Sequence, residues 1–182
     1  MRFHWRNEHP RTEVVSLCDL VSELRDTLGE SIGVHARYES LDEMIRDTNP
    51  DIVAVSTGTE HHYELCMRAL EHGVNIEVEK PIAVNLKQAD DIVAKAKDKK
   101  VRVAVHHQGM VGASMKAVEQ AYSNGRIGDI KYIVGRGKGY YGGYGLMNIG
   151  THILSNVFKL GGHCTSVRSS LMTGGRISSV ED

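Results

Sequence analysis

The sequence predicts an α/β protein whose first part is a doubly wound parallel sheet. Between Val14 and Val105, short apolar runs alternate with segments of helical period, and the connections between them are short. One run, Ile52–Ser56, is apolar throughout, which is typical of a strand buried on both faces of a parallel sheet. Another run ends at Pro81, which has no N–H group to donate to a neighbouring strand, so the sheet must stop there.

The predicted strands lie where apolar residues run together or alternate with polar ones. In chain order they are Val14–Cys18, Val34–Tyr38, Ile52–Ser56, Val74–Glu79 and Val101–Val105. In the fourth of them, Val74, Ile76 and Val78 alternate with polar residues, which is the period of a strand.

Two of the intervening helices are predicted from capping boxes. Ser40 and Glu43 have the spacing in which each side chain can accept the backbone N–H of the other residue at the first turn of a helix. Asn85 and Gln88 have the same spacing ahead of a longer apolar stripe.

The other helices of this region are predicted from their ends. The helix after the first strand is expected to end at Gly29, because glycine readily forms a C-cap. Thr59 is expected to cap the helix that ends before Gly73. Ahead of all the strands, Met1–Pro10 is compatible with a short helix closed by its proline.

After His107 the pattern changes, and we place the domains at residues 1–108 and 109–182. The elements predicted in the second domain are a helix, a long strand running into a loop, a helix and a strand, at Met115–Tyr122, Ile130–Tyr144, Asn148–Leu160 and Thr165–Thr173.

The composition is that of an ordinary globular protein. Of the 182 residues, 41% are hydrophobic and 25% are charged, and the formal net charge is −1. This balance gives no reason to expect binding to nucleic acid or to an anionic membrane. The three cysteines are odd in number and widely spaced, with no C-x-x-C pair. Together with the lack of a membrane-length apolar run, they predict a cytoplasmic protein.

Polar side chains follow several predicted strands, at the edge where open α/β sheets bind ligands. Lys80 comes directly after the alternating strand, between Glu79 and Pro81. Asp19 ends the first strand, where an acid can accept hydrogen bonds from both hydroxyls of an adenosine ribose. Aspartate is also a common N-cap residue of helices. Asp19 by itself therefore leaves both roles, ribose binding and helix capping, open.

The segment around Thr57 and Gly58 lies between a buried strand and the start of a helix. Its backbone amides can face a phosphate or a nicotinamide, although a plain tight turn is commoner. His62 follows in the first turn of the helix, whose N-terminus disfavours an imidazolium, so a neutral ring is expected. Most histidines at such a position are simply partly exposed.

Asn148 and His152 are four residues apart and therefore share a helix face. A single half-buried histidine such as His152 is more often structural than catalytic. The doublets His61–His62 and His106–His107 are not natural chelates, because adjacent side chains in a strand point to opposite faces. No metal site is predicted.

The order of these features along the chain resembles the Gfo/Idh/MocA family, the oxidoreductases of the glucose–fructose oxidoreductase and inositol dehydrogenase type. An acid ends an early strand, and Thr57-Gly58 and His62 follow a later one. Glu79-Lys80-Pro81 follows the next strand, and the segment Asn148–His152 opens a helix further on. The resemblance covers nearly the whole chain, as far as Thr173.

The resemblance implies a Rossmann domain, followed by a domain with an open, mostly antiparallel sheet. It implies that Asp19 binds the ribose of the cofactor. It also implies that Thr57, Gly58 and His62 lie along the cofactor.

The resemblance further implies the catalytic residues. Lys80, with Glu79 and Pro81 beside it, would contact the nicotinamide side and the reacting oxygen. His152 would exchange a proton with the substrate hydroxyl, and Asn148 would orient it. A fixed ammonium stabilises developing alkoxide charge, and an imidazole can gain or lose a proton near neutral pH.

Two departures from the family pattern affect these expectations. The family begins with a strand and a G-x-G-x-x-G turn, and this chain has neither. Its segment Arg2-Phe3-His4 matches the helix that normally follows those glycines. Many members carry Asp where this chain has Asn148, and an amide can orient His152 but cannot stabilise its cation. We therefore expect an internal fragment, with an incomplete Rossmann domain and most of the second domain absent, that binds NAD(P) poorly.

The leading expectation is hydride transfer between a nicotinamide cofactor and a hydroxyl or carbonyl of a sugar, polyol or sugar derivative. NAD is expected rather than NADP, because Asp19 would repel a 2′-phosphate, Leu20 offers no cation, and Arg25 is too far along its helix. An NAD-dependent glycosidase of the same fold, or a non-catalytic fragment or regulator, stays open as an alternative. The intact protein is expected to be a homo-oligomer, and the Lys80–Pro81 bond is expected to be cis.

Overall fold

The computed structural model describes residues 10–137 and 149–178. The chain divides into two compact units, Met1–His106 and His107–Asp182, called the first and the second unit below. The domain limits expected from the sequence, 1–108 and 109–182, stay a prediction.

The first unit alternates strands and helices, as the sequence predicts. Its strands are β1 (Leu17–Cys18), β2 (Arg37–Tyr38), β3 (Ile52–Val55), β4 (Asn75–Glu79) and β5 (Val103–His106). Its helices are α1 (Ser22–Ile32), α2 (Leu41–Thr48), α3 (Thr59–Glu71) and α4 (Leu86–Lys99). Every strand pair in this unit is parallel, which confirms the predicted α/β class.

The parallel strands form two separate sheets, with the orders β1-β2 and β3-β4-β5. In the common doubly wound order 3-2-1-4-5-6, the first strand lies between the second and the fourth. The five strands of this unit match positions 3-2 and 4-5-6 of that order. The break in the described part of the sheet therefore falls where a first strand would lie.

The three-stranded sheet buries only one of its faces. Its buried residues pack with α2, α3 and α4 into one core, which includes Val53, Val55, Ile76, Val78, Leu70 and Ile92. On the opposite face Ile52 is 57% exposed, and Ala54 and Glu77 are exposed as well. The expectation that Ile52–Ser56 is buried on both faces is therefore wrong for this unit.

The capping residues predicted for α2 and α4 are confirmed. The side chain of Ser40 accepts the N–H of Glu43, and that of Asn85 accepts the N–H of Gln88 at 3.0 Å. These contacts satisfy N–H groups that the first turn of a helix leaves without a partner.

Of the three other predicted helix ends, the end of α3 before Gly73 is confirmed, whereas those at Gly29 and Thr59 are wrong. α1 continues through Gly29 and ends at Gly33, which has a φ of 72°. Gly29 is instead buried inside the helix, where a Cβ would collide with the guanidinium of Arg37. The N-cap of α3 is Gly58 rather than Thr59, and no side chain caps that end.

Asp42 joins α2 to α3. Its carboxylate accepts a hydrogen bond from Arg68 at 2.6 Å and lies 2.7 Å from Nε2 of His72. The hydrogen bonds from Arg68, and then from His72, lower the pKa of Asp42 below its ordinary value. The charged form of Asp42 therefore stabilises the packing of the two helices.

We expect Asp42→Asn to destabilise the chain by on the order of 1 kcal/mol near neutral pH, as is usual for partly exposed ion pairs. The folded pKa is the lower one, so this stabilisation is present above the ordinary carboxyl value and is lost as the pH falls through and below about 4. The difference between wild type and variant in urea denaturation should shrink accordingly. Asp90→Asn, an exposed change on α4, is the control and should leave the urea midpoint unchanged. An effect of Asp42→Asn that did not vary with pH would contradict the assignment.

The second unit contains three helices and one hairpin in its described part. They are α5 (Gln108–Val111), α6 (Ala113–Ser123), α7 (Thr151–Gly161), β6 (Met172–Thr173) and β7 (Arg176–Ile177), with β6 and β7 antiparallel. The long strand predicted at Ile130–Tyr144 is wrong for residues 130–137, which form no strand. Its remaining residues lie outside the described part of the chain. Of the strand predicted at Thr165–Thr173, only the last two residues pair.

Candidate functional site

The candidate residues of the first unit follow the carboxyl ends of its strands. Asp19 comes directly after β1, and Thr57 and Gly58 come between β3 and α3. Glu79 is the last residue of β4, and Lys80 follows it. Since β3 and β4 are parallel neighbours, the turns that follow them lie at the same edge of the sheet.

The turn after β4 has the conformation predicted for it. The Lys80–Pro81 peptide bond is cis. The backbone N–H of Lys80 donates to the carboxylate of Glu79 at 3.2 Å. All three residues of the motif are half-buried, so they lie at the surface of the edge rather than within the core.

His62 connects this turn to the turn after β3. Its Nδ1 lies 2.9 Å from the carbonyl oxygen of Pro81, and its Nε2 lies 3.1 Å from the carbonyl oxygen of Thr57. The side chain is 1% exposed. Both ring nitrogens thus contact backbone oxygens of this chain, and the expected contact between His62 and a cofactor stays a prediction.

Asp19 is exposed, and its carboxylate accepts the N–H of Val21 at 2.8 Å. The N-cap alternative for Asp19 is wrong, because Val21 is the N-cap residue of α1 and no side chain caps that end. The contact with Val21 is a local turn that engages one carboxylate oxygen. Arg25 returns to the same place, since its guanidinium donates to the carbonyl of Asp19 at 2.7 Å. The expectation that Arg25 is too far along the helix is wrong, because one helical turn brings its long side chain back to the end of β1.

The turn between β3 and α3 is open to solvent. Thr57 and Gly58 are exposed, and the carboxylate of Glu60 lies over Gly58, where an added Cβ would meet its oxygens. A carboxylate is favoured at a helix N-terminus. This arrangement suits a neutral amide or ribose at the turn better than a phosphate, which would meet a like charge.

In the second unit, His152 lies near the start of α7 and is half-buried. The ring of His107 packs against it edge to face, with 5.6 Å between the ring centroids and an angle of 83° between the planes. Asn148, the residue expected to orient His152, lies outside the described residues.

A short chain of hydrogen bonds sets the orientation of His107. The hydroxyl of Ser155 donates to the carbonyl of Thr151 at 2.7 Å, so its oxygen can accept from Nδ1 of His107 at 3.3 Å. Sequence reasoning considered His107 only as a metal ligand, and its position just after β5 was the signal that could have included it in the site.

The side chains of the two histidine doublets separate, although His61 and His62 lie on a helix and not on the strand that the prediction assumed. His106 lies on β5 with Nδ1 2.8 Å from the carboxylate of Glu77, whereas His107 faces α7. His61 is exposed and His62 is buried. In residues 10–137 and 149–178, no three His, Cys, Asp or Glu side chains are grouped so that they could hold a metal ion. No helix in those ranges is long and apolar enough to span a membrane.

Parallel strands connected by helices, with polar residues at the carboxyl edge of the sheet, define a Rossmann-type nucleotide-binding fold. The family model of the Gfo/Idh/MocA oxidoreductases, described as having an NAD-binding Rossmann fold, matches residues 2–107, and the chain belongs to this family. The resemblance seen in the sequence is thereby confirmed.

Proteins of known name support the assignment. The chain is 31% identical over 116 residues to the 1,5-anhydro-D-fructose reductase of Ensifer adhaerens, a match that covers 64% of this chain and 35% of the reductase. It is 27% identical over 158 residues to the D-glucoside 3-dehydrogenase of Escherichia coli, covering 78% of this chain and 44% of that enzyme. The chain thus spans less than half the length of either relative.

A solved structure shows the same fold. It is an oxidoreductase from Agrobacterium radiobacter in complex with NAD+, L-tartaric acid and magnesium, which superposes with a TM-score of 0.74. The match covers 87% of this chain and 50% of the other, at 19% identity. At this identity the likeness establishes the fold alone.

Proposed function

We propose that the protein containing this chain is an NAD-dependent oxidoreductase that transfers hydride between the cofactor and a hydroxyl or carbonyl of a sugar or polyol. The observation that carries the proposal is the edge at which Lys80 and the Thr57 turn are joined through His62. Membership of the oxidoreductase family supports it, as do the sugar-converting enzymes to which the chain is similar.

The residues of the first unit fit parts of a dinucleotide. Asp19 is exposed at the end of β1 and has a second carboxylate oxygen with which to accept a ribose hydroxyl. Thr57 and Gly58 present an exposed turn to a neutral ring or ribose. Lys80 follows β4 at the same edge as this turn, and its N–H donates to the carboxylate of Glu79.

The bound cofactor would supply the carbon that accepts or donates hydride. Lys80 would place its ammonium beside the reacting oxygen and stabilise the negative charge that develops there. His152 would take or return the proton of the substrate hydroxyl. Asn148 would orient His152, and the contact with His107 adds a second ring to that arrangement.

A glycosidase that passes through a transient oxidation would use the same residues. It would regenerate its bound NAD in every cycle, so net conversion of free NAD to NADH distinguishes an oxidoreductase from it. A regulator would bind a sugar without either reaction. We also propose that the intact protein assembles as a homo-oligomer, which sedimentation of the whole protein would test.

We expect the 182-residue chain to bind NADH weakly. A dinucleotide pyrophosphate is normally held at a helix N-terminus behind a glycine turn. The N-terminus of α3 already lies against the carboxylate of Glu60, which a phosphate would meet as a like charge. Titration followed by nicotinamide fluorescence measures this affinity, and a micromolar dissociation constant would contradict the expectation.

The matched control is a chimera in which this chain replaces the segment of D-glucoside 3-dehydrogenase that it matches. The relative then supplies the parts of the enzyme that the match does not span. Conversion of a D-glucoside with free NAD by this chimera tests the proposed function. We also expect a higher kcat/KM with NAD than with NADP, because Asp19 repels a 2′-phosphate, and the nearby guanidinium of Arg25 is already bonded to backbone carbonyls.

A further inference from the structure

His62 is the most deeply buried polar side chain of the described core, with 1% of its surface exposed. Both of its ring nitrogens face backbone carbonyl oxygens, that of Pro81 at 2.9 Å and that of Thr57 at 3.1 Å. A carbonyl oxygen accepts hydrogen bonds and cannot donate them. The two contacts can therefore both be hydrogen bonds only if both ring nitrogens of His62 carry a proton.

We propose that His62 is a positioning residue, held as an imidazolium, that fastens the turn after β3 to the turn after β4. A neutral imidazole carries one N–H and one lone pair. In the neutral form, one nitrogen would present its lone pair to a carbonyl oxygen about 3 Å away. That contact would be repulsive and would leave the nitrogen of a fully buried ring without a hydrogen bond.

Some groups around His62 disfavour the charged form of its ring, and others favour it. Burying a cation is unfavourable, and the N-terminus of α3 adds to that cost. Two charge-assisted hydrogen bonds to His62 offset it, since such bonds are about twice as strong as neutral ones. The carboxylate of Glu60 also lies at this end of the helix, over Gly58, and carries the opposite charge.

The other ionisable groups nearby do not change the assignment. Cys66 lies one turn further along α3 and is fully buried, and burial raises the pKa of its thiol to about 11. It is therefore neutral and is not a counter-ion. On α3 itself, His61 is exposed and lies 3.8 Å from Glu60. On the turn after β4, Glu79 and Lys80 are of opposite charge and adjacent in the chain.

The consequence for the site rests on the proposed function. Thr57 is proposed to contact the cofactor, and Lys80 is proposed to contact the reacting oxygen, from two different turns. His62 is the side chain that bonds to both turns, over separations of 5 and 19 residues in the sequence. It would act through them, by fixing the spacing of the Lys80 turn and the Thr57 turn, and would not itself touch a ligand.

Nuclear magnetic resonance of the ¹⁵N-labelled wild-type chain tests the proposal without a cofactor. A protonated ring nitrogen and a nitrogen with a lone pair have well-separated ¹⁵N shifts. We expect both ring nitrogens of His62 to be protonated near neutral pH, with two slowly exchanging N–H protons. One protonated nitrogen and one lone-pair nitrogen would overturn the proposal.

His62→Gln provides the second measurement, and His61→Gln, an exposed change at the adjacent position, is its control. The carbonyl of Thr57 is bonded to the amide nitrogen of Gly58, and that of Pro81 to the amide nitrogen of Ile82. The ¹⁵N shifts of these two amides change when the hydrogen bonds to the carbonyls change. His62→Gln should move both shifts, and His61→Gln should leave that of Ile82 unchanged. Movement of only one of the two shifts in His62→Gln would contradict the proposal that His62 fastens both turns. Failure of the proposed function would instead appear as an inactive chimera with an intact ring spectrum.

Discussion

Lys80→Ala in the chimera should lower kcat by about 10²- to 10³-fold, the usual cost of removing a fixed group that stabilises a developing oxyanion. The ammonium would act on charge that is present only in the transition state, so its loss should appear in the chemical step. The affinity for NADH should change far less. The comparison requires kcat from steady-state turnover of a D-glucoside and the dissociation constant for NADH.

Lys97→Ala is the matched control for this change, because Lys97 is an exposed lysine in the last turn of α4. It should leave both kcat and NADH affinity near those of the chimera. If Lys80→Ala weakened NADH binding as strongly as it lowered kcat, the ammonium would be a cofactor contact and not a catalytic group. That result would remove the proposed role of Lys80 in stabilising the reacting oxygen.

His152→Ala in the same chimera should lower kcat by about 10²- to 10⁴-fold, which is typical for the loss of a general acid or base. His152 is half-buried near the start of α7, in edge-to-face contact with His107. This position is compatible with a proton exchange at the surface of the second unit. It is also compatible with a histidine that only packs α7 against the residues after β5.

Two measurements distinguish these roles. If His152 only packs the helix, His152→Ala would lower the melting temperature and leave kcat of the folded fraction near that of the chimera. If it exchanges the proton, kcat falls and the melting temperature changes little. His163→Ala, an exposed change beyond α7, is the control and should alter neither quantity. The packing result would leave Lys80 as the sole catalytic residue of the proposal.

Local sequence patterns were sufficient for much of the first unit. Ser40 and Asn85 cap their helices as predicted, because an N-cap hydrogen bond joins residues only three positions apart. Pro81 marks the end of β4 because its ring removes a donor from the strand ladder. The alternation of strand and helix was enough to predict a parallel α/β fold, since parallel strands need a crossover connection.

Some helix ends and the exposed face of the sheet could not be predicted locally, because they depend on how distant residues pack. Gly29 suggests a helix end by its residue type, but it lies within α1, where the side chain of Arg37 occupies the space that a Cβ would need. Ile52 belongs to an apolar run, yet it is exposed because none of the described helices covers that face of the sheet. A short sequence pattern cannot encode what lies on the far side of a strand.

The same limit applies to the candidate site. The sequence alone pointed to Lys80, Asp19 and His152 through their places at strand and helix ends. Only the tertiary structure brought His107 against His152, and His62 between two carbonyls, because these contacts join residues 45 and 19 positions apart along the chain. Such contacts depend on how whole elements pack, and packing decides which atoms face each ring nitrogen. The helix start suggested only a residue along the cofactor, whereas the folded chain places both ring nitrogens of His62 about 3 Å from backbone carbonyl oxygens.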